Sequence, residues 1–280
     1  GDHRDLLLSL RRQRQMCIRD SIWNTGTSRW KEYSQTPATG SGKLASLHQP
    51  LAFEPGSKWE YGIGIDWAGQ LLETVAKKSL GQWMRDEIFI PLEMNDTSYV
   101  CTSDMEERKA HTHILKDEVW SALVPTKPKS KPEFESGGGG LFSTVTDYAK
   151  FLQVILNDGC SNGVRFVSSQ TLTRMVSNQM GSLQVSPTVS LNHNVSADFE
   201  FMPGVPKSWG LSFQINEEAV AGGRHGGSLS WAGLCNTHFW IDKESGIAAL
   251  LMTQTLPFMI ERVANLLEEF EKAVYKDLAN

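Results

Sequence analysis

Apolar residues recur at steps of three and four in several stretches of the chain, and each such stretch predicts a helix with one buried face. Ile65, Ala68, Leu71, Leu72, Val75 and Ala76 set the first. Trp83, Met84, Ile88 and Phe89 give the apolar face of a second over residues 80–89, which Pro91 helps to stop. Tyr148, Phe151, Leu152 and Ile155 mark a third over 145–156, with Ser143 or Thr144 placed to cap it. A fourth covers 168–179, and Ile260, Val263, Leu266, Leu267, Phe270 and Val274 mark a closing helix. Residues 209–215, 228–241 and 246–253 read instead as strand-rich, and Asp242-Lys-Glu-Ser-Gly246 supplies turn residues for a hairpin between the last two. Short, partly alternating segments at 97–100, 111–116 and 119–124 predict strands of an inserted region, and the polar stretch reaching Phe201 predicts a long surface excursion. Strands joined as hairpins imply an antiparallel sheet covered by helices, an α+β layering. No internal repeat is visible.

Composition narrows the partners more than the fold. The chain has 280 residues, 40% hydrophobic and 21% charged, which suits one large domain or two lobes with a sizeable core. Its net charge of −5, with no basic stripe beyond the first fourteen residues, argues against nucleic acid or an anionic membrane as the main partner and favours a small-molecule substrate. No apolar run approaches the roughly 18–20 residues of a membrane helix, the longest being about 247–252. Cys17, Cys101, Cys160 and Cys235 form no Cys-x-x-Cys and read as free thiols. Asn95-Asp-Thr97 and Asn194-Val-Ser196 fit the N-glycosylation pattern, which matters only in a secreted eukaryotic protein, so localisation stays open.

The stretch from Glu54 to Gly69 concentrates the candidate chemistry. Pro55 fixes φ and Gly56 permits a positive φ, a tight-turn pair. A short extended piece through Trp59 and Tyr61 follows, and the first helix begins just after it. Taken alone, Tyr61 reads as a half-buried strand aromatic with a satisfied hydroxyl; the motifs that follow it change this. The four glycines at 137–140 lack the Lys-Ser/Thr of a phosphate loop and predict close backbone packing beside a cleft. Lys127-Pro-Lys-Ser-Lys-Pro132 reads as a solvated basic loop. His111-Thr-His113 raises a metallo-hydrolase, but no Asp or further His follows at ligand spacing, so a surface pair is the better reading and no metal or cofactor is called for.

Four motifs occur in order: Phe53-Glu-Pro-Gly-Ser-Lys-Trp-Glu-Tyr61, Ile88-Phe-Ile-Pro-Leu-Glu-Met-Asn-Asp-Thr97, Gly137-Gly-Gly-Gly-Leu-Phe-Ser-Thr144 with Asp147-Tyr-Ala-Lys-Phe-Leu152, and His225-Gly-Gly227 with Trp231-Ala-Gly233. Together they resemble the serine β-lactamase and penicillin-binding-protein-like hydrolases, on the side of the class C-related esterases and transesterases. The resemblance implies an antiparallel sheet flanked by helices plus a mainly helical lobe, and attack on a small ester or amide by the serine of a Ser-x-x-Lys motif. A serine hydroxyl is a poor nucleophile until a neighbour takes its proton, and a tyrosine serves near neutral pH only when an adjacent cation lowers its pKa. By this resemblance Tyr61 is the general base. His225, Gly226, Gly227, Ser228 and Trp231 line the substrate cleft, with His225-Gly-Gly227 in the place of the family's Lys-Thr-Gly strand, which lends a backbone N–H to the oxyanion hole.

Two departures favour an esterase or acyl transferase over a β-lactam hydrolase: Ile63 stands where the β-lactamases have asparagine, and His225 where they have lysine. A third concerns the nucleophile. The sequence contains one Ser-x-x-Lys, Ser28-Arg-Trp-Lys31, only 33 residues before Tyr61 in a stretch without a helical pattern, so chance accounts for it better than function. Residues 1–21 do not match the family; their Arg11, Arg12 and Arg14 follow the apolar Leu6–Leu10 instead of preceding it, unlike a signal peptide. The expectation is a non-native leader over 1–21 and, over 22–280, the C-terminal portion of a serine hydrolase domain lacking its nucleophile. A non-catalytic binding or scaffold protein of the same fold is the alternative. Loss of a central helix would leave apolar cavities, where even single large-to-small core changes cost about 2–5 kcal/mol. The chain is therefore expected to unfold readily or associate through an open sheet edge, and a single cooperative melt by circular dichroism would contradict that.

Overall fold

The computed structural model describes residues 36–49, 51, 53–124 and 131–279. Helix α1 spans Gly64–Ala76 and α2 spans Leu80–Met84, continuing as a wider π turn through Arg85–Phe89. Helix α3 (Ser103–Arg108) precedes a hairpin of β1 (His113–Lys116) and β2 (Val119–Ala122), reversed at Asp117 and Glu118, which both take positive φ. Helix α4 (Val145–Leu156), the short hairpin β3 (Cys160–Ser161) and β4 (Val164–Arg165), and α5 (Ser169–Met175) follow. The main sheet is β5 (Lys207–Trp209), β6 (Gln214–Asn216), β7 (Leu229–Gly233), β8 (Thr237–Asp242) and β9 (Ile247–Met252), paired in that order and antiparallel throughout. Strand β10 (Thr255–Leu256) runs parallel to β1, and α6 (Glu261–Leu278) closes the chain.

Both faces of the main sheet are covered, which is why the middle of β8, Phe239-Trp-Ile241, has three apolar residues in succession. Leu229 and Ile241 lie across from each other in register and join Ile215 and Phe213 against Leu152 and Ile155 of α4 and Leu172 of α5. On the other face Trp240, fully buried, meets Phe270 of α6 edge-on at 5.6 Å and hydrogen-bonds Tyr275. The same face holds a buried ion pair. Arg224 Nε donates to Glu271 Oε1 at 2.8 Å and Nη2 to Oε2 at 2.5 Å, the Arg224 backbone N–H adds a bond at 2.9 Å, and the guanidinium lies 4.8 Å over the Trp240 ring.

The helices hold at their expected places because their caps agree with their periodicity. Thr144 accepts from the Asp147 N–H, Ser168 from Thr171, and Ser79 forms a capping box with Gln82. Several expectations need correction. Residues 97–100 make only an isolated bridge from Ser98 to Phe142, while the strand-rich 209–215 resolves into the ends of two short strands around a turn. The helix over 168–179 stops at Met175, because the next residues turn back so that the Gln179 N–H bonds Trp209 and the Leu211 N–H bonds Met175. The stretch to Phe201 is not wholly a surface excursion: Met180, Ser190 and Ser196 are buried, and isolated bridges tie Thr188 to Phe199 and Ser196 to Phe258. Strand β9 has no partner on its outer side among the described residues.

Removing one member of a buried charge pair leaves the other uncompensated, at a cost of about 3–5 kcal/mol. Glu271→Leu should therefore lower the urea midpoint far more than Glu268→Leu, whose carboxylate pairs with Lys272 on the surface. Equal midpoints in urea titrations of the two variants would show that the Arg224–Glu271 pair does not fasten α6.

Candidate active site

The tight turn before Tyr61 forms as its sequence requires. The Ser57 N–H bonds the Glu54 carbonyl at 3.1 Å and Gly56 takes φ +90°, the geometry of a type II turn with Pro and Gly at its centre. The chain then runs extended to Trp59 and Tyr61. Trp59 is buried against Trp209 of β5, ring centres 5.2 Å apart, and Tyr61 lies against Trp231 of β7 at 5.0 Å. Trp209 and Trp231 meet edge-on at 4.4 Å, so the indoles of two strands hold the segment that carries Tyr61.

Helix α1 starts immediately beyond and fixes the other side. Asp66, buried in its first turn, accepts the Ser136 hydroxyl at 2.5 Å and the Gly138 N–H at 3.1 Å. A carboxylate there suits the positive end of the helix. The glycine run was expected to allow close packing, and Gly137 does: a Cβ on it would stand 2.3 Å from the Ile65 carbonyl oxygen.

Strand β6 is shorter than β7. It pairs with Leu229 and Ser230 only, leaving residues 231–233 with β8 on one edge and no strand on the other among the described residues. Tyr61 comes to Trp231, at the start of that edge. So does Phe201, edge-on to Trp231 at 5.7 Å and continuous with Phe199 and Phe258. Phe201 was missed in the sequence because it follows a polar stretch; the period-two pair Phe199 and Phe201, rings 5.3 Å apart, was the available signal.

The other sequence candidates divide between this edge and the opposite end of β7. Trp231 is with Tyr61. His225, half-exposed, donates its backbone N–H to Asp242 Oδ2 at 3.1 Å, and its Nδ1 lies 3.0 Å from both Asp242 Oδ2 and the Ser245 hydroxyl. Gly226 packs on the Glu217 carbonyl, Gly227 takes φ +83° and donates to Asn216, and the Ser228 hydroxyl caps the His225 carbonyl. These residues build the turn that leads into β7, where the His225 imidazole lies with Asp242. Ser28 and Lys31 lie outside the described residues, as do the 1–21 leader and most of the basic loop, residues 125–130. His113 Nδ1 lies 3.0 Å from the carbonyl of His111, and no cluster able to hold a metal occurs among the described residues.

Electrostatics set what Tyr61 does. Burial raises its pKa above the ordinary phenol value, a hydrogen bond from the Trp231 indole opposes this, and the Asp66 carboxylate raises it further, so these surroundings favour the protonated phenol at neutral pH. Burial alone would raise Asp242, but the N–H groups of Ser245 and His225 and the Tyr275 hydroxyl, 2.7 Å from Oδ2, hold it well below the carboxylate range. The hydrogen bond to Asp242 raises His225 in turn.

Comparison with known proteins follows this geometry. The family model described as Beta-lactamase matches residues 27–271. The chain is 26% identical over 263 residues to the lovastatin esterase of Penicillium rubens, covering 89% of this chain and 64% of that protein. It is 28% identical over 249 residues to a monacolin J acid methylbutanoyltransferase of Aspergillus terreus, covering 84% and 58%. The chain spans 53% to 64% of the length of the curated relatives it matches. Among solved structures, simvastatin synthase from Aspergillus terreus superposes with a TM-score of 0.76 at 24% identity over 96% of this chain and 67% of that one. A penicillin-binding protein homologue from Caulobacter crescentus gives 0.60 at 16% identity over 94% and 69%. These structures share the α+β fold.

Two histidines at the ends of the site give opposite pH dependences. His238, stacked on Phe258, is pushed down to about 4 by burial and by Arg224, so the folded protein resists a proton that the unfolded chain accepts. Its neutral form costs nothing above the ordinary histidine value, and stability falls by about 3 kcal/mol as pH drops from there toward 4. The raised pKa of His225 adds stability that is full below the ordinary value and fades as pH rises through the folded one. His238→Leu should flatten the acid side of the stability profile and His225→Gln should lower stability mainly below pH ~6.5. Urea midpoints at acid and neutral pH check both, and unchanged profiles would contradict the assignments.

Proposed function

The chain belongs to the β-lactamase family, and from that premise we propose that it is a serine-dependent esterase or acyl transferase domain acting on a small ester or amide through an acyl-serine intermediate. The observation that carries the proposal is the placement of Tyr61 against the free edge of β7 at residues 231–233. Tyr61 is the general base: its phenolate oxygen takes the proton of the attacking serine, and the hydroxyl so formed gives it to the leaving alcohol or amine. The β7 edge receives the acyl group, since an unpartnered strand edge presents backbone N–H groups toward a substrate carbonyl oxygen as it gains charge.

The raised pKa of Tyr61 sets a condition on this role. An adjacent cation must lower it before the phenolate can act near neutral pH. In the family pattern that cation is the lysine of Ser-x-x-Lys, so nucleophile and lysine belong together. In this reading Ser28 and Lys31 do not supply the pair, because their motif stands in a Gly/Ser/Thr-rich stretch without a helical apolar face. The chain as it stands is then inactive, with Tyr61 and the β7 edge forming one half of the site. The indole stack around Tyr61 and the hydrophobic Ile63 favour a neutral, apolar ester over a β-lactam, whose carboxylate needs a polar grip. The alternative, a non-catalytic scaffold of the same fold, predicts that no serine reacts in any form of the protein.

Fluorophosphonate labelling with adduct mapping by mass spectrometry decides between these. No adduct is expected on Ser28 in the folded chain. An adduct there that weakens in Tyr61→Phe would make Ser28 the nucleophile and the chain a complete enzyme. Extending the chain with the N-terminal portion of a relative that carries Ser-x-x-Lys should yield an adduct on that serine, at least ~100-fold slower in Tyr61→Phe, as loss of general-base catalysis requires.

A further inference from the structure

A cavity of about 640 Å³ lies between residues 200–205, the 219–224 turn, the sheet and α6. Trp231, which meets Tyr61, forms part of its wall, but neither Tyr61 nor residues 232–233 line it. We propose that this cavity is a binding site in its own right for a neutral, ring-bearing alcohol or phenol, whose hydroxyl pairs with His238. Such a ligand is not the substrate of acyl transfer, so the proposal goes beyond that reading and does not depend on it.

The volume falls within the range of about 300–1,000 Å³ found for small-molecule sites. Phe201, Trp231 and Trp240 give the wall three aromatic rings, and Val205, Met259 and Leu267 add aliphatic surface, which suits a ring-shaped apolar body. Every charged residue of the wall already has a partner: Arg224 pairs with Glu271, Glu200 with Lys207 and Glu268 with Lys272. An ionised occupant would have to break one of these pairs or stay unpaired. The site is therefore suited to a neutral molecule.

The outer wall is fixed before any ligand enters. Residues 200–205 have no regular structure beyond turns and bends, and Met202 takes φ +46°. Lys207 fastens them from β5. Its ammonium, on a residue only 2% exposed, donates to Glu200 Oε1 at 2.8 Å, to the Met202 carbonyl at 3.2 Å and to the Val205 carbonyl at 2.7 Å, so all of its donors are used.

One polar group of the wall lacks a partner. His238 is 3% exposed, and its Nε2 is buried with no hydrogen-bond partner among the described residues. Phe258 stacks on the imidazole at 5.7 Å and Phe201 meets it edge-on at 6.0 Å, and neither ring carries a polar group to offer it. His238 lines the cavity, so an occupant can supply the partner this nitrogen lacks. Burial and Arg224 keep the imidazole neutral, and its Nε2 then donates or accepts according to the tautomer. A hydroxyl answers both cases, accepting from an Nε2–H or donating to a bare Nε2. An ester or ketone oxygen answers only the first.

Saturation-transfer NMR on the full chain at neutral pH, with 2-naphthol, its isostere 2-methylnaphthalene and the anion 2-naphthoate as probes, tests this without requiring turnover. Wild-type protein should bind the naphthol, and the naphthoate at least ~10-fold more weakly. Ala264→Trp, which fills the cavity from α6, should weaken naphthol and methylnaphthalene alike, roughly tenfold. His238→Phe keeps a ring in place and removes the nitrogen, so it should weaken naphthol roughly tenfold while methylnaphthalene changes little. That variant should fold, since an unpaired buried polar group gives way to an apolar one of like shape, and circular dichroism melts check each variant. In wild type, naphthol but not methylnaphthalene should move the nitrogen-15 signals of one neutral imidazole, a readout that stands whether or not His238→Phe folds. Absence of naphthol binding, naphthoate binding as tight as that of naphthol, indifference of naphthol to Ala264→Trp, an unchanged naphthol affinity in folded His238→Phe, or imidazole signals that naphthol leaves in place would each overturn the proposal.

Discussion

The late start of β6 is the constraint on which the rest of the site depends. Because that strand begins only at Gln214, across from Ser230, residues 231–233 of β7 keep one edge free of strand pairing among the described residues. A free edge in the middle of a sheet normally invites another strand. Here aromatic rings from two distant segments come to it, Tyr61 from the turn before α1 and Phe201 from the segment before β5. Trp231 meets both, and Trp209 braces it from β5. The sheet thus supplies a rigid platform, and the chemistry arrives on irregular backbone fixed to it, which is how loops carry function without losing position.

That arrangement explains why Tyr61 is firmly placed while its pKa is raised. Packing against indoles orders the phenol and removes water, and each of those raises the cost of forming a phenolate. Asp66 adds to the cost, yet it is needed where it is: it ties the glycine-rich segment to the first turn of α1. Position and activation are therefore separate tasks. The described residues accomplish the first, and the second calls for a charge that offsets burial and Asp66.

Much of the fold was legible in the sequence because local signals agreed with one another. The helices at α1, α4 and α6 have period, caps and length in accord, and the β8–β9 hairpin announces itself through Asp242, whose Oδ1 accepts the N–H groups of Glu244 and Ser245, and through Gly246 at φ +69°. Tyr61 was legible through its turn and its motif. The division of labour between His225 and Trp231 was not. Both stand in Gly-containing motifs a few residues apart, and which of them reaches Tyr61 depends on where β6 begins, a matter of tertiary pairing that no local pattern encodes. The role of residues 200–205 was equally hidden, since a polar stretch gives no periodic signal and Lys207 looks like any surface lysine until its burial is known.

Lys207 shows how a charge can serve an apolar site. A buried ammonium is tolerated only when every donor is satisfied, and the acceptors that satisfy this one lie on a segment that regular structure does not support. The cost of burying the charge and the cost of ordering the segment are met by the same bonds. Arg224 and Glu271 do the same for α6 on the facing wall. Between these ion pairs aromatic and aliphatic side chains share the wall with Ser230, His238 and Asn265. The two ion pairs order the segments that flank the sheet, and Trp231 joins that wall to Tyr61 by ring contact.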